Sequence, residues 1–412
     1  MALPPLRVPA AVVADLAAGS SLEWLETNGL GGFAMGTAAG LSTRRYHGLL
    51  VASLRPPTER IMTLARLDET LVLPDGGVEL ATVKYPGIVA PAGHYYLTGF
   101  RCDPFPTWTW EVAGVRVEKQ VFLVHGQNAV VVRYRADRPV DLVVSPFLAF
   151  RDYHSLAAAN AAFSGDATDE PGPGRRAVRV KPYASLPALR LVHGGGALLR
   201  DGGWYYRAEY DEERERGLDY QEDLYRLGGI PLAVAPDAPG WIVATLDGGD
   251  WDAAAVEGAE ASERARRRPG ADDPFVARLA AAADAFLVRR ADSTPTIIAG
   301  YPWFTDWGRD TMISLPGLLV ARGRLDDARR VIAGFLVHLD RGIIPNRFPD
   351  RGEEPEYNNV DGTLWMFQAM HAYLEAGGDR RFLVEQFYPA GREIIRWHRR
   401  GTHHGIVVDG SD

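Results

Sequence analysis

The chain has 412 residues, 46% of them hydrophobic and 24% charged, the composition of a globular protein too long for one ordinary core. A formal net charge of −8 argues against nucleic acid or an anionic membrane surface as a partner, while a neutral polymer places no demand on charge. The single cysteine, Cys102, excludes an internal disulfide framework and any cysteine-based metal cluster. No run approaches the roughly 18 apolar residues of a membrane span, and the opening residues lack the apolar core of a signal peptide, so a cytoplasmic location is expected.

Taken in order, residues 1–252 read as β-rich. Short alternating or β-branched runs at 49–53, 70–73, 117–124, 129–134 and 140–144 are separated by turns such as Pro74-Asp75-Gly76-Gly77, a pattern that predicts an antiparallel β-sandwich. Gly29-Leu30-Gly31-Gly32-Phe33-Ala34 loosely matches a dinucleotide fingerprint but lacks a following helix, and reads as a turn joining strands. His47 has no second ligand at metal-binding spacing and reads as a structural histidine. Phe147 to His154 reads as a strand entering a turn, and residues 164–176, rich in Gly, Pro and Asp, as an exposed loop. Further strands are expected within 177–192 and at 241–246. Between them, the Glu- and Arg-dense stretch 210–225 is expected to be a short helix or ordered loop.

Residues 253–272 predict a charged linker helix. After it the apolar period changes from 2 to 3.6. Asp273-Pro274 is a helix start, leading into 275–290. A second helix is expected from about 310 to 322, kinked at Pro316. In 325–340 the positions Ala328, Val331, Ile332, Phe335, Leu336 and Leu339 make one apolar stripe. Two more helices, 361–376 and 379–399, are split by Gly377-Gly378. The domains expected are therefore 1–252, a linker over 253–272, and a helical domain over 273–412.

Polar and aromatic residues gather where these helical patterns stop or start. Residues 300–310 read Gly-Tyr-Pro-Trp-Phe-Thr-Asp-Trp-Gly-Arg-Asp, and aromatic faces beside carboxylates and a guanidinium suit a sugar's C–H faces and hydroxyl rim. The plainer alternative is a strand-to-helix junction with a capping aspartate. Further on come Gly342 to Phe348, containing Ile344-Pro345-Asn346-Arg347, and then Glu356-Tyr357-Asn358-Asn359-Val360-Asp361-Gly362-Thr363-Leu364-Trp365. Repeated gathering of such residues at helix ends predicts one shared pocket rim.

The series Trp-Gly-Arg-Asp, Ile-Pro-Asn and Tyr-Asn-x-x-Asp-x-x-x-Trp, in this order, resembles the amylo-α-1,6-glucosidase domain of glycogen debranching enzymes. Thr27-Asn28-Gly-Leu-Gly-Gly-Phe33 and Arg44-Arg45-Tyr46-His47-Gly-Leu-Leu50 look like the bacterial and archaeal type of that family. The resemblance implies a β-sandwich followed by an (α/α)6 toroid of twelve helices, of which about five are present, and glycogen or a branched α-glucan as partner, with no cofactor and no metal. The resemblance marks Arg309 and Asp310 as the grip on a terminal glucose, and Trp303 and Trp307 as wall or stacking residues. Asn346, Arg347, Tyr357, Asn358 and Asp361 follow as the next two pocket loops, and Asn28, Arg45 and His47 as contacts at its mouth. The reaction implied is inverting hydrolysis of α-1,6-linked glucosyl stubs by two carboxyls roughly 6.5–9.5 Å apart. The family's acid lies in a later Thr-Trp-Met-Asp motif, absent from this sequence, and its base near the C-terminus of the full enzyme. The chain is thus expected to be an N-terminal fragment of a longer enzyme, or a shortened gene product, that binds without hydrolysing.

Asp361 can be weighed as an acid, its pKa raised by an apolar wall between Tyr357 and Trp365, as a binding residue, or as the N-cap of the following helix. Gly362 stands where the family often has alanine. A glucoamylase- or trehalase-like toroid enzyme and a non-catalytic glucan-binding protein are the alternatives to a debranching glucosidase.

Overall fold

The structure, a computed structural model, describes residues 6–102, 104–267, 273–348 and 354–409. The chain divides into two compact units. The first comprises Met1–Asn28, Gly32–Ser53 and Arg60–Arg268, and the second Gly29–Gly31, Leu54–Glu59 and Pro269–Asp412.

Two nine-stranded sheets make the first unit. One runs Leu6–Pro9, Leu97–Cys102, Pro106–Val112, Val115–Leu123, Ala129–Ala136, Gly240–Thr245, Leu189–His193, Arg175–Val180, Ala167–Gly172, antiparallel throughout. The other follows the path Gly203–Glu209, Gln221–Arg226, Val140–Asp152, Thr58–Leu73, Gly48–Arg55, Phe33–Thr37, Glu23–Thr27. Ile230–Val234 and Gly76–Glu79 pair alongside. The sheets face each other: Tyr134 Oη donates to Glu69 at 2.7 Å, Lys119 Nζ lies 2.6 Å from the same carboxylate, and Trp108 Nε1 donates to the Ala38 carbonyl at 3.0 Å.

The central strands are buried on both faces, which is why Val130-Val131-Val132 is a continuous apolar run rather than an alternating one. Lys119 and Tyr134 point to the second sheet, while Phe122, Val131 and Val243 pack with Trp251 and Val256 on the outer face. Val256 belongs to the helix Ala253–Arg266, capped by Asp252, whose carboxylate accepts from Ala255 N at 2.8 Å. The charged helix expected here is thus present, and it packs on its sheet. Glu260 and Glu263 are buried, Glu260 pairs with Arg133, and Arg267 just beyond holds Glu26 at 2.6 Å. The stretch 164–176 is likewise not a loop: Ala167–Gly172 and Arg175–Val180 form a hairpin at the sheet edge, where Pro171 costs no central ladder bond.

The second unit is helical. Its main helices are Pro274–Phe286, Gly308–Leu318, Leu325–Leu336 and Asp361–Glu375, and a last one in which Arg380–Phe382 passes through a π-type turn, Leu383–Phe387, into Tyr388–Arg400. Asp273 caps the first, accepting from the Phe275 and Val276 amides at 2.8 and 2.9 Å, with Pro274 in the first turn. That helix stops at Phe286, short of the predicted residue 290, because Leu287–Arg289 pairs with Pro295–Ile297 as a small hairpin. The second ends at Leu318 rather than 322, two residues after Pro316. The predicted stripe holds: Ala328, Val331, Ile332 and Phe335 are buried against Met312, Leu315, Met366, Met370 and Ile394. β-rich sheets followed by helices is the order that the change of apolar period predicts. Among the described residues no helix is long and apolar enough to cross a membrane.

Candidate active site

Three extended segments of the second unit form a short ladder. Trp307 bridges Arg347, and Arg347 bridges Glu356, both antiparallel. Gly308 N donates to the Asn346 carbonyl at 2.7 Å, and Asn346 N to the Glu356 carbonyl at 2.7 Å. Glycine is required at 308: a Cβ there would stand 2.1 Å from the Pro345 carbonyl oxygen. The ladder feeds two helices, Gly308–Leu318 and Asp361–Glu375, whose first turns touch. A Cβ on Gly362 would lie 3.2 Å from the Arg309 backbone and 2.4 Å from Asn359 Oδ1. Ile344 N donates to Thr363 Oγ1 at 3.0 Å, tying the middle segment to the second helix.

The side chains follow from this backbone. Arg309 and Asp361 face each other at 3.8 Å, each nearly half-exposed (48% and 45%), so both can reach a ligand in solvent. Arg347 pairs with Glu356 at 2.6 Å, and Asn346 Nδ2 donates to Asn358 Oδ1 at 2.9 Å. Tyr357 Oη donates to the His338 carbonyl at 2.9 Å, and burial together with Asp340 and Glu354 pushes the phenol above its usual pKa. Asp310 is half-buried in a first helical turn, where the helix dipole favours a carboxylate. Trp307 packs edge-on against Phe304 with centroids 5.3 Å apart, and half-buried Trp303 lies in the preceding turn.

Several expectations need correction. Asp361 is not the N-cap; the capping bond belongs to Asn359, whose Oδ1 accepts from Gly362 N at 2.9 Å. Nor does an apolar wall enclose Asp361, which faces solvent and a guanidinium. Asp306, in the middle of the aromatic stretch, is fully buried and held by Thr296 Oγ1 at 3.0 Å and Arg290 at 2.5 Å, a structural anchor. Glu356 and Asn359 stand in the same cluster and are candidate site residues beyond those expected from the sequence. Both stand inside the quoted motif, and the Asx-type spacing of Asn359 to Gly362 was the available signal.

The suggested mouth residues are all in the first unit and committed to internal partners. Asn28 is fully buried and donates to the Gln127 carbonyl at 2.9 Å. Arg45 donates to the His154 and Asp219 carbonyls at 2.7 and 3.0 Å and pairs with buried Glu213 at 3.1 Å. His47 Nδ1 accepts from Thr43 N at 3.0 Å, and its Nε2 meets Glu23 at 3.0 Å; burial outweighs that carboxylate and lowers its pKa. All three are held by partners within the first unit. Among the described residues no group of three His, Cys, Asp or Glu side chains could hold a metal ion.

Known proteins resemble both parts of the chain. Residues 22–239 match the model of the glycogen debranching enzyme N-terminal domain, and residues 281–412 match that of amylo-alpha-1,6-glucosidase. The glycogen debranching enzyme of Saccharomyces cerevisiae is 39% identical over 100 residues, which is 23% of this chain and 6% of the yeast protein. A bacterial glucoamylase, solved in complex with acarbose, superposes with a TM-score of 0.50 at 10% identity, over 91% of this chain and 56% of that one, a likeness of fold. The chain thus spans little more than half the length of that enzyme and a small part of the yeast one. With both models matched in chain order, the first over more than half of the residues, the chain belongs to the glycogen debranching enzyme family, of the glycoside-hydrolase type.

Proposed function

We propose that the chain carries the glucose-gripping wall of an inverting amylo-α-1,6-glucosidase that removes single glucosyl stubs at branch points of glycogen or limit dextrin, in the cytoplasm. In this reading residues 1–252 are the β domain, and residues 273–412 are the first hairpins of an (α/α)6 toroid, consistent with the fold likeness to the bacterial glucoamylase. The observation that carries it is the convergence of Arg309, Asp361, Asn346 and the Arg347–Glu356 pair on one ladder between two helix starts. Guanidinium and carboxylate groups at such a spacing make paired hydrogen bonds with vicinal hydroxyls, and the adjoining Trp303 and Trp307 supply faces for the sugar's C–H surface.

Both ladder carboxylates already face guanidinium groups, Asp361 at Arg309 and Glu356 at Arg347, an arrangement suited to gripping hydroxyls rather than to delivering a proton. The 412 residues are therefore expected to bind and not to hydrolyse. The test is a paired measurement of binding and glucose release, using phosphorylase limit dextrin and a linear maltooligosaccharide. Saturable binding that favours limit dextrin and is lost in Arg309→Ala, without glucose release, agrees with the proposal. Release that disappears in Asp361→Asn makes Asp361 the acid instead, and equal binding of the linear chain favours a glucoamylase-like specificity.

A further inference from the structure

Between the facing sheets of the first unit lies a crevice of about 70 Å³, well above the roughly 10–15 Å³ that one water needs. Three indoles line it. Trp108 is satisfied through the Ala38 carbonyl, but the buried Nε1 atoms of Trp24 and Trp110 have no hydrogen-bond acceptor among the described residues. Both rings are more than nine-tenths buried, Trp24 at 7% and Trp110 at 5% exposure. Trp24 lies against Gly36, its partner across the strand pair, with a Cβ position 3.1 Å from Nε1, so a side chain at 36 would close this wall.

The charged groups in the crevice are balanced. Lys119 pairs with Glu69 at 2.6 Å and Arg66 with Asp68 at 2.9 Å. Lys119 also donates to the Leu67 carbonyl at 3.0 Å, which leaves a third ammonium hydrogen. A charged ligand would disturb these pairs, and a purely apolar one would leave the two indole N–H groups unsatisfied. Aromatic faces with spare donors and no net charge suit a neutral polyhydroxylated ring. Gly40 and Ser42, on the crevice lining, are exposed and half-exposed, which gives it a way in.

We propose that this crevice is a second binding site, for one neutral hexose unit, with Trp24 Nε1 and Trp110 Nε1 as donors to its hydroxyl oxygens. The proposal concerns the first unit alone and does not rest on the reading of the Arg309–Asp361 site. The test is a titration of the 412-residue chain, labelled with 15N, with D-glucose. Its ten tryptophans give ten indole signals, and Trp24→Phe and Trp110→Phe assign two of them. The expected result is that these two signals move together and saturate, and that each substitution weakens glucose about 3- to 10-fold by removing one donor. Trp303→Phe and Trp307→Phe should leave that binding unchanged. Signals of Trp24 and Trp110 that stay still at every glucose concentration the fold tolerates would overturn the proposal and leave a water-filled crevice. That holds whether or not the Trp303 and Trp307 signals move, and if a variant fails to fold, sequential resonance assignment of the unsubstituted chain identifies the two signals instead.

Discussion

At the scale of single residues, the pairing of Arg309 with Asp361 sets the first expectation. Replacing Arg309 with Ala removes a charge-assisted grip, and glucan affinity should fall by roughly 10- to 100-fold, measured by titration calorimetry with limit dextrin. Gly362 gives a second. Alanine there would push into Asn359 Oδ1, the cap of the helix behind Asp361, so Gly362→Ala should lower stability by about 1–3 kcal/mol in urea unfolding. A neutral result would show that Asn359 yields and that the cap is soft. His193 gives a third. It is buried on the first sheet, and desolvation, with Arg176 nearby, lowers its pKa to about 4. A histidine held neutral when folded, but titrating near 6.5 when unfolded, stabilises fully above pH 6.5. That contribution is lost as the pH falls towards 4, by up to about 3 kcal/mol. Urea midpoints at pH 7 and pH 4.5 should differ less in His193→Leu than in the unsubstituted chain. At this scale the sequence showed which residue types gather at helix starts. It did not show that Asn28 and Arg45 are held internally, because their partners Gln127, Glu213 and His154 lie far off along the chain, nor that Glu23 meets His47.

The elements were more legible than their ends. Periodicity located the helices over 274–286, 308–318, 325–336 and 361–375, since an apolar stripe at 3.6 spacing is local information. Where each stops is a tertiary matter: Leu287–Arg289 leaves the helix because a strand partner exists at Pro295–Ile297. The same applies to Ala253–Arg266. Its many charges read as those of a linker, yet Glu260 is buried against Arg133 and is also held by Arg264 at 2.9 Å. Removing one member of a buried pair strands the other, so Glu260→Ala should cost about 3 kcal/mol of folding stability. An unfolding midpoint equal to that of the unsubstituted chain would mean that the helix is only lightly attached to its sheet. The first strand of the hairpin over 167–180 escaped notice for the opposite reason. Its Gly and Pro residues signal a turn correctly, but edge strands tolerate compositions that central strands do not.

For the whole molecule, the second unit leaves large apolar side chains in solvent: Phe275 at 71% exposure, Val337 at 81% and Trp365 at 42%, and Ile313 and Leu364 are exposed as well. The 412-residue chain should therefore self-associate, with a sedimentation coefficient that rises with concentration and falls on Phe275→Ser with Val337→Ser. A monodisperse monomer at all concentrations would count against that. The order of sheets and helices was readable from a change of period, whereas the membership of Gly29–Gly31 and Leu54–Glu59 in the helical unit was not. Those two segments sit between strands of the first unit, yet the Gly29 carbonyl accepts from Arg289 N at 2.9 Å and the Pro56 carbonyl from Ala291 N at 3.1 Å. During synthesis they leave the ribosome roughly 250 residues ahead of the amides they serve, an interval on the order of 10–50 s. Over that interval these carbonyls lack the Arg289 and Ala291 amides. Protease pulses on nascent chains should cut near residues 29–31 and 54–59 until residue 291 has emerged, and spare them afterwards.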